Sequence, residues 1–372
     1  MGFSDRFWGY SKLYTSEVDS EQDGPLLAEG KAAAVPRRRP SLRYIILIPL
    51  LAVVFFVGFS LGIFLDLEQL PLSKSAVKTD QISRCTNPVI RREWRSLSTQ
   101  EKDVYLGAVQ CLSRLPSKIN PDSTLHDDFA WVHSRFRKSS HNSAAFLAWH
   151  RYFLHLYETT LRERCSYNGH MPYWDWSLDW ESLFASPVFS NTHGFGSNGN
   201  LSLPPTLNFG TCVTEGPFAG LTLSFAGQET KRHCLSRGFQ DEGLRGYSGE
   251  GVSPAALEEV LSKNDYVSFF SALEEGPHDT IPNMIRGDFW LLTAPNEPTF
   301  FLHHGMLDRL WWMWQQQDPE NRLRQYIGPA YNGSMVAASL HDELEMGPFA
   351  KAVHAHDLVD TQAGILCYRY QG

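Results

Sequence analysis

Two aromatic segments that contain histidines constrain the fold more than any other feature of this sequence. The first, HNSAAFLAWHRYFLHLYE, spans residues 141–158 and holds three histidines and five aromatic residues. The second, PNEPTFFLHHGMLDRLWWMWQ, spans residues 295–315 and holds a pair of adjacent histidines. Apolar residues recur at helical spacing in both segments, which predicts two helices that each bury one face. A fold that accommodates both must bring histidines into an apolar interior.

Helical geometry separates the histidines of the first segment. At about 100° per residue, His150 lies on the same side of the helix as Phe146 and Leu154. His155 is turned away by about 140°, which is typical of a packed or surface histidine. His141 can reach the same centre as His150 only from a turn before the helix, and the serine and asparagine residues around it are typical of such a turn.

The adjacent histidines of the second segment face different neighbours. His304 stacks over Asp308 and Trp311 at helical spacing, whereas His303 stacks over Leu307. A metal-bound imidazole commonly donates its second N–H to a polar group, so Asp308 is a candidate to support His304. Several histidines on two aromatic helices, with no CxxC pair in the sequence, favour a metal site over histidines that only pack.

An uncharged run of 22 residues, Tyr44 to Leu65, predicts a transmembrane helix. A cleaved signal peptide is the alternative, but 43 residues precede the run, which is long for such a peptide. Four arginines lie just before the run and Asp66 and Glu68 follow it, so the N-terminus is expected in the cytoplasm and the rest in the lumen or outside the cell. The expected organisation is a disordered cytoplasmic tail (1–43), the transmembrane helix (44–65), a stalk (66–84) and one globular domain (85–372).

The cysteines and the glycosylation patterns agree with this topology, and the net charge bears on possible partners. All six cysteines follow the stalk, where an oxidising compartment permits disulfides. Cys212 and Cys234 are the favoured pair, with buried free thiols as an equal alternative. Asn200 and Asn332 begin glycosylation acceptor tripeptides. The net charge of −8 gives no reason to expect a nucleic-acid partner, because phosphate binding depends on a basic surface.

The rest of the chain predicts a mainly α fold with long loops. Further helical patterns cover residues 98–114, 127–137 and 254–263. Ser98 and Glu101 have the spacing of a capping box, and Ser253 is the expected cap of the last of these helices. Residues 186–253 are rich in Gly, Pro, Ser and Asn, which predicts loops with short extended pieces.

The two histidine segments resemble the two copper signatures of the tyrosinase family. HNSAAFLAWHRYFLHLYE matches the first signature from its leading histidine through Phe146 and WHR to Glu158, and EPTFFLHHGMLD is similar to the second. The resemblance extends from about residue 100 to residue 316. It implies a four-helix bundle with a type 3 centre of two copper ions, each bound by three histidines, and the oxidation of a phenol or catechol by O2.

The resemblance assigns three histidines to the first copper. These are His133, from the stretch DDFAWVH, together with His141 and His150. His126 competes with His133 for the first place. His133 is preferred because it follows DDF in the middle of the helix, whereas His126 opens that helix.

The second copper has a less complete ligand set. The family has a His-x-x-x-His pair here, and GPHDTIPNMIRGDF aligns His278 with the first member and Pro282 with the second. Proline cannot ligate copper, which leaves His278 and His304. The candidates for the third ligand are His303, His354 and His356. Asp279 follows His278 at a position where true phenol hydroxylases often have asparagine.

The resemblance therefore implies a membrane-anchored copper oxidase that acts with O2 on a phenolic small molecule or on a tyrosine in a peptide. Small anchored relatives of this kind resemble tailoring enzymes of secondary metabolism. Because of Pro282, a catalytically degenerate scaffold or oxygen-binding protein is the alternative. A mononuclear zinc hydrolase is a third reading that the absence of an HExxH motif disfavours. The tail after the second signature is too short for a complete further domain and is expected to fold back over the bundle.

Overall fold

The computed structural model describes residues 85–239 and 248–372 of the chain. The expected cytoplasmic tail, transmembrane helix and stalk lie outside the described residues. Within the described ranges, no helix is long and apolar enough to cross a membrane. From residue 85 onward the protein consists of helices joined by long loops, as the sequence predicts.

Helices carry most of the regular structure in the described ranges. In chain order they are α1 (Thr99–Leu112), α2 (Leu125–Arg135), α3 (Arg137–Ser140), α4 (Ala145–Cys165), α5 (Pro254–Leu261), α6 (Tyr266–Leu273), α7 (Asp279–Ile285), α8 (Phe300–Gln317) and α9 (Pro319–Arg322). A π-helical turn, Glu274–His278, connects α6 to α7 without a break. The predicted helices correspond to α1, α2, α4, α5 and α8, whereas α6 and α7 were not predicted.

Local capping signals fix the starts of several helices. α1 begins after Ser98, whose hydroxyl accepts the N–H of Glu101 while the Glu101 carboxylate accepts the N–H of Ser98, so the predicted capping box is confirmed. Thr124 and Asp127 form a second capping box at the start of α2. Ser253 caps α5, as expected. Each cap provides a partner for an N–H group that the helix itself leaves unpaired.

Aromatic packing joins α2, α4 and α8, the helices that carry His133, His150 and the His303–His304 pair. Tyr157 of α4 stacks on Phe301 of α8 with ring centroids 3.4 Å apart. Phe129 of α2 meets the edge of Phe301 at 5.6 Å. All three side chains are fully buried. Burial of a side chain of this size contributes about 1.5–3 kcal/mol, so this cluster fixes α2, α4 and α8 relative to one another.

Short strands close the loops. They are β1 (Val89–Arg91), β2 (Thr211–Cys212), β3 (Thr222–Ala226), β4 (Glu229–Cys234), β5 (Ser236–Arg237), β6 (Glu343–Leu344), β7 (Val353–His354) and β8 (Tyr368–Tyr370). β1 pairs in parallel with β8, and the antiparallel pairs are β2 with β5, β3 with β4 and β6 with β7. The β3–β4 hairpin lies in the region that was predicted to contain short extended pieces.

Three disulfides pair all six cysteines. They join Cys85 to Cys367, Cys111 to Cys165 and Cys212 to Cys234. The predicted pairing of Cys212 with Cys234 is confirmed. The Cys85–Cys367 bridge closes a loop of 282 residues beside the β1–β8 pair, so it fastens the start of the domain to its end.

The segment that follows α8 folds back over α4, as expected. Trp149 donates its indole N–H to the carbonyl of Glu345 at 3.0 Å. The Tyr152 hydroxyl donates to the carbonyl of Lys351 at 2.8 Å. These contacts hold the β6–β7 hairpin against the outer side of α4.

Candidate metal centre

Three histidines converge between α2, α4 and the turn that precedes α4. The ring centroids of His133 and His141 are 5.0 Å apart, those of His141 and His150 are 5.0 Å apart, and those of His133 and His150 are 5.4 Å apart. One nitrogen of each ring lies within 4.8 Å of the corresponding nitrogens of the other two. This first triad can therefore hold one metal ion.

Hydrogen bonds orient every ring of the first triad. His133 Nδ1 lies 2.7 Å from the carbonyl oxygen of Leu292, and His150 Nδ1 lies 2.8 Å from that of Phe146. A carbonyl oxygen only accepts, so Nδ1 carries the proton and Nε2 directs its lone pair to the centre. His141 Nδ1 lies 3.0 Å from the hydroxyl of the preceding serine.

A second triad consists of His278, His303 and His304. The ring centroids are 5.7 Å apart for His278 and His303, 5.4 Å for His278 and His304, and 5.1 Å for the adjacent pair. One nitrogen of each ring again lies within 4.8 Å of the other two. His278 ends the π-helical turn, and the adjacent pair lies in the first turns of α8.

Packing, rather than hydrogen bonding, orients most of the second triad. His278 Nδ1 lies 2.9 Å from Asp279 Oδ1. For His303 and His304, neither ring nitrogen has a hydrogen-bond partner among the described residues. Phe300 lies against His304 with ring centroids 4.2 Å apart. The orientation of His304 therefore depends on the volume and position of its apolar neighbours.

The two triads face each other and form one centre. His150 stacks on His304 with centroids 4.2 Å apart and planes only 13° from parallel. His141 and His278 form a second contact between the triads, with centroids 5.6 Å apart. Two ions held by these histidines are therefore neighbours.

The donor atoms of the centre fit copper. Six buried ring nitrogens have no hydrogen-bond partner among the described residues: Nε2 of His133, Nε2 of His150, and both nitrogens of His303 and His304. A buried polar group without a partner costs about 1–3 kcal/mol. Neutral imidazole is a good ligand for copper, so bound copper ions would satisfy one nitrogen of each of these four rings.

Burial keeps the imidazoles in the form that binds metal. Burial lowers the pKa of His133 to about 4, against the opposing effect of its hydrogen bond to a backbone carbonyl. Burial, and then the neighbouring imidazoles, hold the pKa values of His141 and His150 well below the ordinary value. The same two causes act on His303 and His304. At neutral pH these rings are uncharged, and each has a lone pair to donate.

Pro282 stands where the family pattern has a histidine, and His303 is the third imidazole of the second triad. Pro282 lies one turn beyond His278 in α7, where the family pattern has a histidine, and its side chain is buried. His303 lies in α8 and is fully buried. The structure thus brings a third imidazole to the second triad from α8 rather than from α7.

Three other histidines that were considered as ligands lie outside the two triads. His126 lies near the start of α2, and its Nε2 is 3.2 Å from the carbonyl oxygen of Asn296. His354 and His356 lie on the C-terminal segment, where their rings stack on each other with centroids 5.3 Å apart. Neither triad includes any of the three.

Asp308 of α8 accepts hydrogen bonds from arginines and tyrosines rather than from the expected His304. The side chains that donate to its carboxylate are those of Arg91, Arg151, Tyr368 and Tyr370. Burial alone would raise the pKa of Asp308, but the two guanidinium groups and the tyrosine hydroxyls lower it below its ordinary value. Since Arg151 follows His150, Asp308 of α8 anchors the helix that carries the first triad.

Glu274 is a buried residue that supports the turn before α4, and the sequence analysis did not predict this role. Both of its carboxylate oxygens accept the backbone N–H of Asn142, at 2.9 and 3.0 Å. Asn142 has a φ of +51°, in the left-handed region, so this contact holds the turn that presents His141. Burial raises the pKa of Glu274 well above its ordinary value, and the nearby Asp279 and Glu275 act in the same direction. The sequence has no signal that distinguishes Glu274 from Glu275.

The centre opens to solvent on one side. His141 is partly exposed, and the Asp279 side chain is 20% exposed. His303 and His304 are 0% and 2% exposed, so they form the deep end. His141 and Asp279 therefore lie on the side of the centre that faces solvent.

Comparisons with known proteins agree with this centre. Residues 123–317 match the common central domain of tyrosinase. Tyrosinase-like protein phomQ1 of Diaporthe leptostromiformis is 40% identical, and the alignment covers 99% of this chain and 100% of that protein. Tyrosinase ustQ of Aspergillus flavus is 42% identical over 77% of this chain and 80% of its own length. A structure of polyphenol oxidase from Thermothelomyces thermophila has a TM-score of 0.68 at 27% identity and covers 78% of this chain and 91% of that one.

The matched segment contains α2, α4, α7 and α8, and therefore both triads. Sequence similarity over nearly the whole chain, a shared fold and a pair of facing histidine triads lead to the same assignment. The chain belongs to the tyrosinase family.

Proposed function

We propose that this copper phenol oxidase binds its two copper ions through the two triads. The first ion is bound by His133, His141 and His150, and the second by His278, His303 and His304. The observation that carries this proposal is the contact between the triads, in which buried imidazoles without other partners face each other. The reaction is the oxidation of a phenol or catechol by O2.

The protein's part in this reaction follows from its own side chains. Copper bound at the triads would supply the electron transfer that reduction of O2 requires. The hydrogen-bonded and packed imidazoles fix the positions of the donor nitrogens. Phe146 and Phe300 line the centre, at 5.2 Å from His150 and 4.2 Å from His304, and keep water away from it.

The proposed ligand set departs from the family pattern only at the second copper. Adjacent residues on a helix differ by about 100° in direction, so His303 and His304 approach from different sides. Their ring planes are 82° apart. This divergence supports the proposal that both bind the same ion with His278, and that His303 replaces the histidine lost at Pro282.

We also propose that the phenol is part of a larger molecule, such as a tyrosine in a peptide or a secondary metabolite. The partly exposed side of the centre supports this, since a ring can enter past His141 while the rest of the substrate remains in solvent. Oxygen uptake with tyrosine, with a tyrosine-containing peptide and with a small catechol tests the proposal. A preference for the free amino acid over the peptide would contradict it.

A location on the lumenal or outer side of a membrane, with residues 44–65 as the anchor, is a further part of the proposal. The pairing of all six cysteines supports it, because disulfides persist in oxidising compartments. Asn332 is exposed and suits glycosylation. Protease protection of the full chain in sealed microsomes should leave the domain intact, and a glycosidase should shift its mass; digestion of the domain without detergent would refute this topology.

Copper analysis with matched histidine variants tests the assigned function. The purified protein should bind two copper ions per chain and consume O2 when a phenol or catechol is added. His150→Ala should abolish both the binding of the first copper ion and the oxygen uptake. His155→Ala, in the same helix but outside the triads, should retain both. A chain that binds fewer than two coppers and keeps its structure without oxygen uptake would instead be the degenerate scaffold.

A further inference from the structure

Three histidines form a separate cluster on the C-terminal segment. His341 precedes β6, and His354 and His356 lie at the end of β7 and just beyond it. The rings of His354 and His356 stack with centroids 5.3 Å apart and planes 12° from parallel, and the His341 ring is 5.8 Å from that of His356. These separations are close to the 5.0 to 5.7 Å found within the two triads.

Backbone carbonyls fix the protonation of two of these rings. His354 Nδ1 lies 2.9 Å from the carbonyl oxygen of His341, and His356 Nδ1 lies 3.2 Å from that of Leu340. Because a carbonyl only accepts, Nδ1 carries the proton in the neutral form of each ring, and Nε2 then has a lone pair. Metal-binding histidines in proteins are commonly oriented in this way.

Asp357 adds a carboxylate to the cluster. Its Oδ1 lies 3.4 Å from His356 Nε2, and its Oδ2 accepts the backbone N–H of His354 at 3.3 Å. With the proton on Nδ1, His356 directs a lone pair at a carboxylate oxygen. A cation between the two atoms converts this repulsion into attraction.

We propose that His341, His354, His356 and Asp357 form a third metal site, for a divalent ion such as Zn²⁺ or Cu²⁺. Imidazole nitrogens combined with a carboxylate oxygen suit both ions. Unlike the nitrogens of each triad, no three ligand atoms of this cluster all lie within 4.8 Å of one another, so a side chain must rotate before the ion is bound. His341 is exposed, so rotation of its side chain closes the site around an ion.

The position of the site gives the ion a structural role. It joins the loop before β6 to the turn after β7, and these strands form the hairpin that lies on α4. Between the strands, the carbonyls of Glu345 and Lys351 accept hydrogen bonds from Trp149 and Tyr152 of α4. The bound ion therefore stabilises the cover of the helix that carries the first triad, without contact with the copper centre.

Titration of Zn²⁺ into the full-length, copper-loaded protein, followed by calorimetry, tests the site. We expect one Zn²⁺ per chain beyond the two coppers and a higher melting temperature in its presence. His354→Ala and His356→Ala should each weaken Zn²⁺ binding by more than about 10-fold. Loss of a group that only orients a ligand already costs about 10-fold or more in affinity, and these variants remove a ligand itself. Copper content and phenol-dependent oxygen uptake should be unchanged in both variants.

Two further variants keep the test decisive. His341→Ala removes an exposed ring with little packing, so it should weaken Zn²⁺ binding even if the other variants fold poorly. His193→Ala is the matched control, because His193 is an exposed histidine that also pairs with a carboxylate, with its Nδ1 2.7 Å from Asp103 Oδ1. Absence of Zn²⁺ binding to the wild-type protein, or an equal loss in His193→Ala and His341→Ala, would overturn the proposal.

Discussion

The two histidine triads are held in different ways. In the first triad every imidazole has a hydrogen-bond partner at Nδ1, and for His133 and His150 that partner is a backbone carbonyl. In the second triad only His278 has such a partner, and it is a side chain, Asp279. His303 and His304 depend on packing alone.

This difference has a consequence for robustness. A backbone carbonyl cannot be removed by substitution of its side chain, so the first triad keeps its orientation as long as α2 and α4 keep theirs. The second triad depends on the shapes of neighbouring side chains, and a cavity beside it leaves its rings free to turn. We therefore expect copper to be lost from the second triad first when the structure is perturbed.

The largest effect should come from removing His303, the proposed copper ligand that departs from the family pattern. His303→Ala should lower the copper content from two ions to one per chain and reduce phenol oxidation by more than about 100-fold, the upper end of what loss of a supporting group costs. His126→Ala is the control, because this buried histidine lies outside both triads. Two coppers in folded His303→Ala would show that the second triad does not need this ring.

Paired aromatic truncations compare histidines that have a hydrogen bond with one that has none. Phe146 contacts His150 and His278, whereas Phe300 contacts His304. Phe146→Ala and Phe300→Ala each remove a buried ring beside a histidine, and each should cost about 3–5 kcal/mol of folding free energy. Only Phe300→Ala should release one copper during dialysis, because the His304 ring that it contacts has no hydrogen bond to keep its orientation. Equal copper loss from both variants would remove the distinction between the triads.

A pH series tests the ion pairs of Arg91, which connect the helix of the first triad to that of the second. Arg91 lies 2.7 Å from Glu158 of α4 and 3.3 Å from Asp308 of α8. Burial alone would raise the pKa of Glu158, but Arg91 and several hydrogen bonds lower it from 4.5 to about 2. A lowered folded-state pKa contributes stability above pH 4.5 that is lost as the pH falls towards 2. This contribution is about 3 kcal/mol.

The comparison between wild-type protein and Glu158→Gln isolates this group. Urea unfolding of the two copper-free proteins should differ most above pH 5, and the difference should shrink by more than half as the pH falls to 3, while the histidines contribute equally to both. A difference in unfolding free energy that stays constant between pH 7 and pH 3 would mean that Glu158 does not carry the pH dependence.

The smallest effect concerns the one hydrogen bond of the second triad. Asp279→Ala should weaken copper binding at that triad by about 10–100-fold, since it removes the acceptor that orients His278. Asp279→Asn keeps an acceptor without its charge and should lose less. Competition with a copper chelator measures both affinities, and a loss shared equally by the two coppers would argue against a role confined to the second triad.

Local geometry explains what the sequence could predict about the first triad. Helical spacing is enough to place His150 on an inner face and to require that His141 approach from a turn, and the structure has both. Spacing cannot choose between His126 and His133, which are seven residues apart and so lie on the same face of α2. Only the axial separation of about 10 Å distinguishes them, and that depends on where α4 crosses.

Long-range contacts explain what the sequence could not predict. The stacking of His304 over Asp308 is a local rule, but guanidinium groups from elsewhere in the chain bind a carboxylate more strongly than an imidazole does. Arg91 and Arg151 therefore form ion pairs with Asp308, and His304 does not bind it. The place of His303 depends on how the π-helical turn that carries His278 packs against α8, which no local pattern encodes.

The Cys85–Cys367 bridge turns the domain into a covalent ring. By chain-entropy reasoning, closing a loop of 282 residues destabilises the unfolded chain by about 5–6 kcal/mol. The two triads lie on opposite arcs of this ring, at residues 133–150 and 278–304. A single proteolytic cut between the arcs would leave both halves of the copper centre tethered through the bridge, at the high effective concentration that favours their reassembly.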